Sequence, residues 1–529
     1  MTLHTEGPRG SRRVVYVSDP SNTTALYSDP AEPEQLRQWV RNLAKGGVDT
    51  YVQEVFSEAW SLFHRTDLCE YDARPQHQRF IPMMDAGTMP IEIYIEESHK
   101  LGLEFIAGFR MNDRHGQNQA LVETYKDWVL EDFGYGVDYS VPEVRDWIFS
   151  IAEEIAHRFD VDGLEFNFIR WGHCFPPATA AEQHPAMTEL IRRVREMLDK
   201  ASEQKGRRLL LGVRVPQTLQ GCHKLGYDVP TWISERLVDY VAPCDFHHTD
   251  FNAQYDEFAE LTRVSDCYLY PAFQPMLCKG NSVAGLNLDQ YRAVVQNFYG
   301  AGADGLSVHN YQYHWAQNHW ESWRRNRYPG PAYMYPKALE YFNALKDPQA
   351  VVAADRHYLF YPLWPDDGPM GTYEVQRAVL KRDQPGQRAE YRFRICEHLP
   401  EALELPVDDT GRYEGTFTPS GKIPGAWLIF RAIGLVPGDD IAVDINGQEI
   451  AAEAITHIWY QQGRPAWQGR TLPPYTECRF TLTAPPGVWG DNYLGLTLTE
   501  NSPEAEGDIV VDEVEVIVRP MPSSAQPGS

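Results

Sequence analysis

The sequence has few basic side chains and no long apolar run. Its 529 residues include 48 lysines and arginines against 74 aspartates and glutamates, a formal net charge of −26. Nucleic acids and anionic membranes bind to basic surfaces, so this balance argues against both kinds of partner. A transmembrane helix needs about 18 consecutive apolar residues, and no such run occurs. The opening residues, MTLHTEGPRGSRR, lack the apolar centre of a signal peptide, so we expect a cytoplasmic protein.

Cysteine and histidine show no metal-binding spacing. The eight cysteines form no CxxC pair, and the 17 histidines give no HExxH or HxH motif. This excludes the common zinc motifs and a small disulfide framework. We therefore expect reduced thiols, no bound metal and no cofactor.

From about residue 12 to 345, short apolar runs alternate with segments of helical periodicity. The candidate strands are 12–18, 48–56, 103–110, 162–170, 208–215, 238–246, 266–273 and 304–311. The helices between them include 32–47, 141–159, 185–206 and 288–303. This alternation predicts an α/β fold, a (β/α)8 TIM barrel over residues 12–345. The alternative, a doubly wound open sheet, commonly opens with a glycine-rich loop, and SDPSNTT after the first strand has no glycine.

The sequence pattern changes after Leu345. From about residue 356 to 519, short alternating runs such as AWLIFRAIG and DIVVDEVEVIV are separated by Gly, Pro, Asp and Asn. This predicts an all-β, jelly-roll-like sandwich over 356–519 as an accessory domain. Residues 520–529 are predicted to be a disordered tail. The sandwich would either bind a glycan or brace the barrel; we expect bracing, and self-association into a homo-oligomer stays open.

Polar side chains gather at the carboxyl ends of the predicted strands, where the active sites of TIM barrels lie. The fourth strand, DGLEFNFIR, holds a carboxylate, an amide and a guanidinium within an apolar run, and a period of two places Glu165 and Asn167 on one face. The other strand-end residues of this kind are Asp19, Asn22, Glu54, Arg110, Asn112, Asp113, His115, Arg170, Arg214, Asp245, His247, His248, Gln274, His309, Asn310 and Tyr311.

Glu165 and Asp245 are the two carboxylates that we assign to catalysis. They end the fourth and sixth strands, and glycoside hydrolysis uses such a pair, one as general acid and the other as base or nucleophile. A buried carboxylate is costly unless paired, so the structural alternative for Glu165 is an ion pair with Arg214 on the next strand. The structural alternative for Asp245 is a helix cap or turn residue.

The segment GVDYSVPEVRDWIFSIAEEIAHRFDVDGLEFNFIRW (136–171) resembles the pattern DYSxPEVRxY…ERYDVDGIxLDxxR of glycoside hydrolase-like TIM-barrel proteins, the group called family-10-like. The resemblance covers the barrel and implies action on glycosides. One position departs from it: the Asp of the pattern is Asn167 here, whereas the acid two residues earlier is kept as Glu165. Barrels similar to α-galactosidases place a nucleophile on strand four and an acid/base on strand six, the positions of Glu165 and Asp245.

One principal hypothesis and two alternatives follow. The first is a glycosidase that cleaves an O-glycosidic bond of an oligosaccharide or glycoside, with Glu165 as nucleophile or base and Asp245 as acid. Substrate binding is assigned to Arg110, Asn167, Arg170, Trp171, Arg214, His247, His309 and Tyr311. Because arginine forks match carboxylates, the three arginines are compatible with a uronic sugar. The alternatives are a non-catalytic carbohydrate-binding protein, motivated by Asn167, and a metal-dependent sugar isomerase or epimerase on the same barrel.

Overall fold

The computed structural model describes residues 13–56, 63–72, 74–113, 123–130, 136–275, 286–311, 335–401, 410–413, 416–419, 424–462, 464–465 and 471–520. The N-terminal part is built on one parallel sheet. Its strand segments, numbered β1 to β9 in chain order, are Val14–Ser18, Thr50–Phe56, Glu104–Arg110, Gly163–Asn167, Leu210–Val215, Tyr240–Pro243, Tyr268–Leu269, Ala272–Phe273 and Leu306–Val308.

The sheet closes on itself through an interrupted strand. β7 pairs with β6, β8 pairs with β9, and β9 pairs with β1. Between β7 and β8, the Tyr270 amide donates to the Val241 carbonyl on one side, and the Ser307 amide donates to the Pro271 carbonyl on the other. Pro271 has no N–H to donate, which accounts for the interruption at this point. The predicted eight-stranded barrel is therefore confirmed, with β7 and β8 as two halves of its seventh strand.

The principal helices lie within two residues of their predicted bounds, at Pro33–Gly46, Pro142–Arg158, His184–Lys205 and Leu288–Ala301. Three of them begin with proline in the first turn, where its missing N–H costs nothing. Among the residues that the structure describes, the other α-helices of this part of the chain are Pro20–Thr23, Pro75–Gln78, Ile81–Asp85, Pro90–Lys100, Leu219–Lys224, Val229–Ser234, Asp256–Arg263, Tyr341–Leu345 and Pro348–Val352. Among the helices in the described ranges, none is long and apolar enough to cross a membrane.

The barrel interior changes from apolar to charged along the strands. Its apolar floor is a cluster formed by Val15, Val17, Val52, Ile106, Leu210, Tyr240 and Tyr270. Towards the carboxyl ends, Glu54 lies in register with Gly108, Gly108 with Glu165, and Glu165 with Gly212. A side chain at Gly212 would overlap the ring of Tyr240. Because Gly212 has no side chain, the Tyr240 ring has room to reach the level of Glu54 and Glu165.

The C-terminal part forms two antiparallel sheets, which confirms the predicted sandwich. The first sheet contains, in order, Arg356–Phe360, Ile509–Arg519, Gly425–Ile433, Tyr475–Thr481 and Thr456–Tyr460, with Ala378–Leu380 also pairing with Ile509–Arg519. The second contains Arg388–Ile395, Gly490–Glu500, Asp440–Ile445 and Gln448–Ile450. Thr410–Tyr413 also pairs with Thr416–Pro419, and Arg464–Pro465 pairs with Thr471–Leu472. In the barrel part of the chain, Val129–Leu130 pairs with Gly136–Val137.

Buried hydrogen bonds hold the sandwich against the second half of the barrel. On helix Leu288–Ala301, Asn297 Nδ2 donates to the Arg394 carbonyl over 2.8 Å, and its Oδ1 accepts the Cys396 amide over 2.9 Å. Asn252, after the sixth barrel strand, donates to the Arg392 carbonyl over 3.0 Å. Strand Arg388–Ile395 is therefore fixed to the loops and helices that follow β6 and β8.

Candidate active site

Glu165 lies in the barrel interior and interacts with two donor side chains, Arg214 and Tyr240. Arg214 Nε lies 3.1 Å from its Oε1, and the Tyr240 hydroxyl donates to its Oε2 over 2.8 Å. Arg214 also donates to Ser307 Oγ over 2.6 Å, so the ion pair reaches across to β9. Glu165 is only 1% exposed. The guanidinium and the phenol thus compensate the buried carboxylate with hydrogen bonds.

A second charged group is centred on Arg110 at the end of β3. Its guanidinium lies 2.6 Å from Asp19, 2.8 Å from Glu54 and 3.1 Å from Asp113. All four side chains are buried. Burial lowers the pKa of Arg74 to about 10, against the attraction of Asp19 and Asp113, so a second guanidinium faces the same group. Three carboxylates converge here at the ends of three neighbouring strands.

Glu54 is the member of this group with a raised pKa. Burial raises its pKa and the charge of Asp19 adds to the effect, whereas Arg110 and a hydrogen bond from Asn167 oppose it. Asn167 Nδ2 donates to Glu54 Oε1 over 3.0 Å, and His309 Nε2 lies 3.9 Å from the same oxygen. Carboxylates crowded together out of water retain a proton more readily, and a retained proton is what a general acid requires.

His309 is buried beside these charges. Burial and the guanidinium groups of Arg214, Arg170 and Arg110 lower the pKa of His309 well below its ordinary value. The ring is thus neutral at neutral pH, and each neutral imidazole offers one donor and one acceptor nitrogen. His309 is therefore equipped to hold a hydroxyl group next to Glu54.

Asp245 organises the turn after β6. Its Oδ1 accepts the backbone amides of His247 and His248, each over 2.8 Å. Its Oδ2 accepts the Trp364 indole N–H over 3.0 Å, from the segment that follows the sandwich strand Arg356–Phe360. This is the geometry of the turn residue described above as the structural alternative. The carboxylate is 5% exposed and both of its oxygens are engaged.

Arg170 and Trp171 follow β4 on the same rim. Arg170 Nη1 lies 2.7 Å from His247 Nε2, and its guanidinium lies over the Phe246 ring, 5.3 Å from the centroid. Trp171 packs edge-on against Phe246 with φ of 57°, and Asn310, after β9, has φ of 53°. Non-glycine residues in this left-handed region are strained, and such residues cluster at functional sites.

One of the predicted site residues lies apart from the rest. The Tyr311 hydroxyl donates to the Ala338 carbonyl over 2.8 Å, and its ring packs against Tyr16 and Phe342. These contacts place it in the layer between barrel and helices, away from the charged groups. His115 lies outside the described residues, as does the side chain of Asn22.

The sequence predicts Asp19, Glu54 and Asp113 as strand-end acids, but the site assigned from it does not include them. Glu54 could have been included, because it is a carboxylate inside the apolar strand TYVQEVF, just as Glu165 is a carboxylate inside an apolar strand. Tyr240 and Trp364 carried no such signal in the sequence. Within the described residues, no group of three or more His, Cys, Asp or Glu side chains has an arrangement that could hold a metal ion.

The first half of the barrel matches a known protein family in sequence. Residues 12–171 match the model of the family described as Glycosyl hydrolase-like 10. This match confirms the resemblance predicted from residues 136–171, and it covers β1 to β4 together with Asp19, Glu54, Arg110 and Glu165. Residues 12–171, the first half of the barrel, are thus similar in sequence to glycosyl hydrolase-like proteins.

Individual relatives share limited parts of the chain. Glycosyl hydrolase YngK of Bacillus subtilis is 26% identical over 223 residues, 33% of this chain and 42% of that protein. Glycosyl hydrolase DigH of Escherichia coli is 30% identical over 98 residues, 15% of this chain and 22% of that protein. The chain thus spans less than half the length of these curated relatives. The PgaB (BpsB) glycoside hydrolase domain of Bordetella bronchiseptica superposes with a TM-score of 0.40 at 13% identity, over 64% of this chain and 98% of that one. This score is low, and the fold stands on the strand order of the chain itself.

Proposed function

We propose that the protein is a glycoside hydrolase that cleaves an O-glycosidic bond at the carboxyl ends of the barrel strands. One observation carries the proposal. Above an apolar floor, Glu54 and Glu165 enter the barrel interior from strands two apart, with only the side-chain-free Gly108 between them. Neighbouring strands are about 4.8 Å apart, so the two backbones are about 10 Å apart across the gap. Glycoside hydrolysis uses two carboxyl groups that flank the scissile bond, and two side chains carried on backbones this far apart can flank one.

Glu165 takes the role of nucleophile or general base. Arg214 and Tyr240 hold the carboxylate in one orientation through hydrogen bonds to its two oxygens. A nucleophile or base must be aimed in a fixed direction, and these two donors fix that direction.

Two residues compete for the role of general acid. Asp245 is the acid expected from the sequence, at the end of the sixth strand. Glu54 is favoured by its raised pKa and by its neighbours Asn167 and His309, which are suited to hold sugar hydroxyls around it. Asp245 accepts three hydrogen bonds, two of them from its own turn, so both of its oxygens are engaged in holding the rim. We therefore favour Glu54 as the acid, with Asp245 as the residue that shapes the rim.

The arginines set the expected class of sugar. Arg110 and Arg214 are neutralised by carboxylates of the barrel. Arg170 lies against His247 and the face of Phe246, at the rim. Guanidinium groups match carboxylates in shape and charge, so a glycan with uronic or other acidic residues belongs among the first substrates tested.

A non-catalytic sugar-binding protein is the second candidate. Asn167 favours it, because the family pattern has an aspartate there and the amide is engaged by Glu54 and the Ile169 amide. Such a protein would bind the same glycans and leave them intact.

Hydrolysis and binding of one glycan panel separate the candidates. Wild-type protein is incubated with aryl glycosides and neutral, N-acetylated and uronic oligosaccharides, with and without EDTA, and binding is measured by calorimetry. Release of reducing ends that EDTA does not change is the expected result. Binding without release supports the binding protein, and isomerised product that disappears with EDTA supports the metal-dependent isomerase.

A further inference from the structure

A cleft of about 530 Å³ lies between the barrel and the start of the sandwich. One wall comes from the segments after β5 and β6, and the other from the chain around residues 359–376 together with Arg392. The residues on which the argument rests are Gln217, Asp250, Phe360, Tyr361, Tyr373 and Arg392. Sites for small ligands commonly have volumes of about 300–1,000 Å³, so this cleft has the size of a ligand site.

The lining combines aromatic rings with hydrogen-bonding groups. Phe360, Tyr361 and Tyr373 supply ring surface, and the apolar C–H faces of sugars pack on such surfaces. Gln217, Asp250 and Arg392 supply an amide, a carboxylate and a guanidinium that suit hydroxyl groups. The Asp250 carboxylate accepts the Asn252 amide over 2.8 Å and a hydrogen bond from the Gln217 side chain. A carboxylate offers about four acceptor positions, so some of them stay available to a ligand.

The cleft and the barrel mouth share a wall. Asp245 and Asp250 belong to the same segment after β6, and Leu363 on the opposite wall directly precedes Trp364. The hydrogen bond from Trp364 to Asp245 joins the two segments beside the end of β6. A chain-like ligand that leaves the barrel beside β5 and β6 would therefore pass the cleft.

We propose that this cleft is a second carbohydrate-binding site, which takes a distal part of the oligosaccharide whose scissile bond lies in the barrel mouth. The proposal rests on the proposed function for the class of ligand. The sandwich would then take part in ligand binding, because its first strand and Arg392 form one side of the cleft. Binding at the cleft adds affinity for long glycans and little for single sugars.

A filling substitution tests the site directly. Gln217→Trp places an indole in the cleft, and Asp250→Asn is a milder second variant that keeps an oxygen for the Asn252 amide. Gln38→Trp is the matched control, since Gln38 is exposed on helix Pro33–Gly46 and does not line the cleft. Calorimetry with cellohexaose, chitohexaose, maltohexaose and hexagalacturonate, and with the corresponding monosaccharides, is carried out in a Glu165→Gln background.

For the hexasaccharide that binds best, Gln217→Trp should weaken binding by about tenfold or more, and Asp250→Asn by several-fold, with monosaccharide affinity and the control affected far less. Equal hexasaccharide affinity in all variants would overturn the cleft site. Hydrolysis by the wild type would in that case still support the proposed function. If the cleft variants weaken binding but the wild type hydrolyses none of the panel, the proposed function is overturned and the cleft remains a carbohydrate-binding site. Absence of sugar binding by every variant overturns the proposal as well.

Discussion

Glu165 and Arg214 form an ion pair between neighbouring strands, with Nε and Oε1 3.1 Å apart inside the barrel. The Tyr240 hydroxyl completes the arrangement by donating to the same carboxylate. The chain contains a structural counterpart, in which Glu397 accepts from Arg356 Nε over 2.6 Å and from the Tyr358 hydroxyl over 2.6 Å. One cluster lies among the charges of the barrel interior and the other near the junction with the sandwich. The pair of clusters makes it possible to separate a chemical role of Glu165 from a structural one.

Glu54→Gln is expected to lower kcat on an oligosaccharide by about 10²–10⁴, the usual effect of removing a general acid. A dinitrophenyl glycoside should lose much less, since its leaving group departs without a proton. Because burial raises the pKa of Glu54, wild-type kcat should fall as pH rises through a value above that of an ordinary glutamate, and this limb should vanish in the variant. Initial rates against pH on both substrates provide the measurement.

Asp245→Asn is the comparison for that prediction. The variant keeps an oxygen for the turn amides and removes a charge, so we expect a smaller effect on kcat than from Glu54→Gln. The opposite result would be a large loss of kcat on the oligosaccharide, but not on the dinitrophenyl glycoside, in Asp245→Asn and not in Glu54→Gln. The acid would then be Asp245, and our preference for Glu54 would be refuted.

Trp364→Phe is expected to lower the free energy of unfolding by about 1–3 kcal/mol. The substitution removes the N–H that binds Asp245 over 3.0 Å and leaves a buried carboxylate oxygen short of a donor. Urea unfolding followed by circular dichroism measures the change. Trp459→Phe, at an exposed position on strand Thr456–Tyr460, serves as the control. A Trp364→Phe protein as stable as the control would mean that the contact contributes little to holding the turn.

Asp250 should make the stability depend on pH in a defined direction. Burial raises its pKa to about 6, against the Asn252 amide, Arg392 and Gln217, whereas an unfolded aspartate titrates near 3.9. Between these values the folded state binds the extra proton, so the free energy of unfolding falls as pH rises through that window. Relative to Asp250→Asn, the wild type should lose roughly 2 kcal/mol between about pH 4 and pH 7. Urea titrations of both proteins across this range are the test, and a difference that stays constant with pH would contradict it.

Most of the fold follows from patterns within short segments. The alternation of apolar runs and amphipathic helices predicted the barrel, and strand edges such as Thr50–Phe56 fell close to the predicted bounds. The break at Pro271 was not predicted, because the run DCYLYPAF reads as one strand and only its pairing with both neighbours reveals two halves.

The site was harder to predict, since it depends on contacts between distant residues. The partner of Glu165 could be named because Arg214 lies on the adjacent strand, in register with Asn167 two residues beyond Glu165. The partner of Asp245 could not, because Trp364 lies 119 residues further along the chain, beyond the barrel. Glu54 was undervalued for the same reason: its neighbours Asn167 and His309 come from strands far away in sequence.

The most direct test of the account is the kcat/KM of Glu165→Gln beside that of Glu397→Gln, on the best substrate of the glycan panel. Each variant weakens one buried Glu–Arg–Tyr cluster, and thermal unfolding shows what each costs in stability. If Glu165 is the nucleophile or base, its variant loses roughly three or more decades of activity while Glu397→Gln stays within a few-fold of wild type. If Glu165→Gln keeps activity comparable to that of Glu397→Gln, Glu165 is a structural charge and the assignment of catalysis to it is wrong.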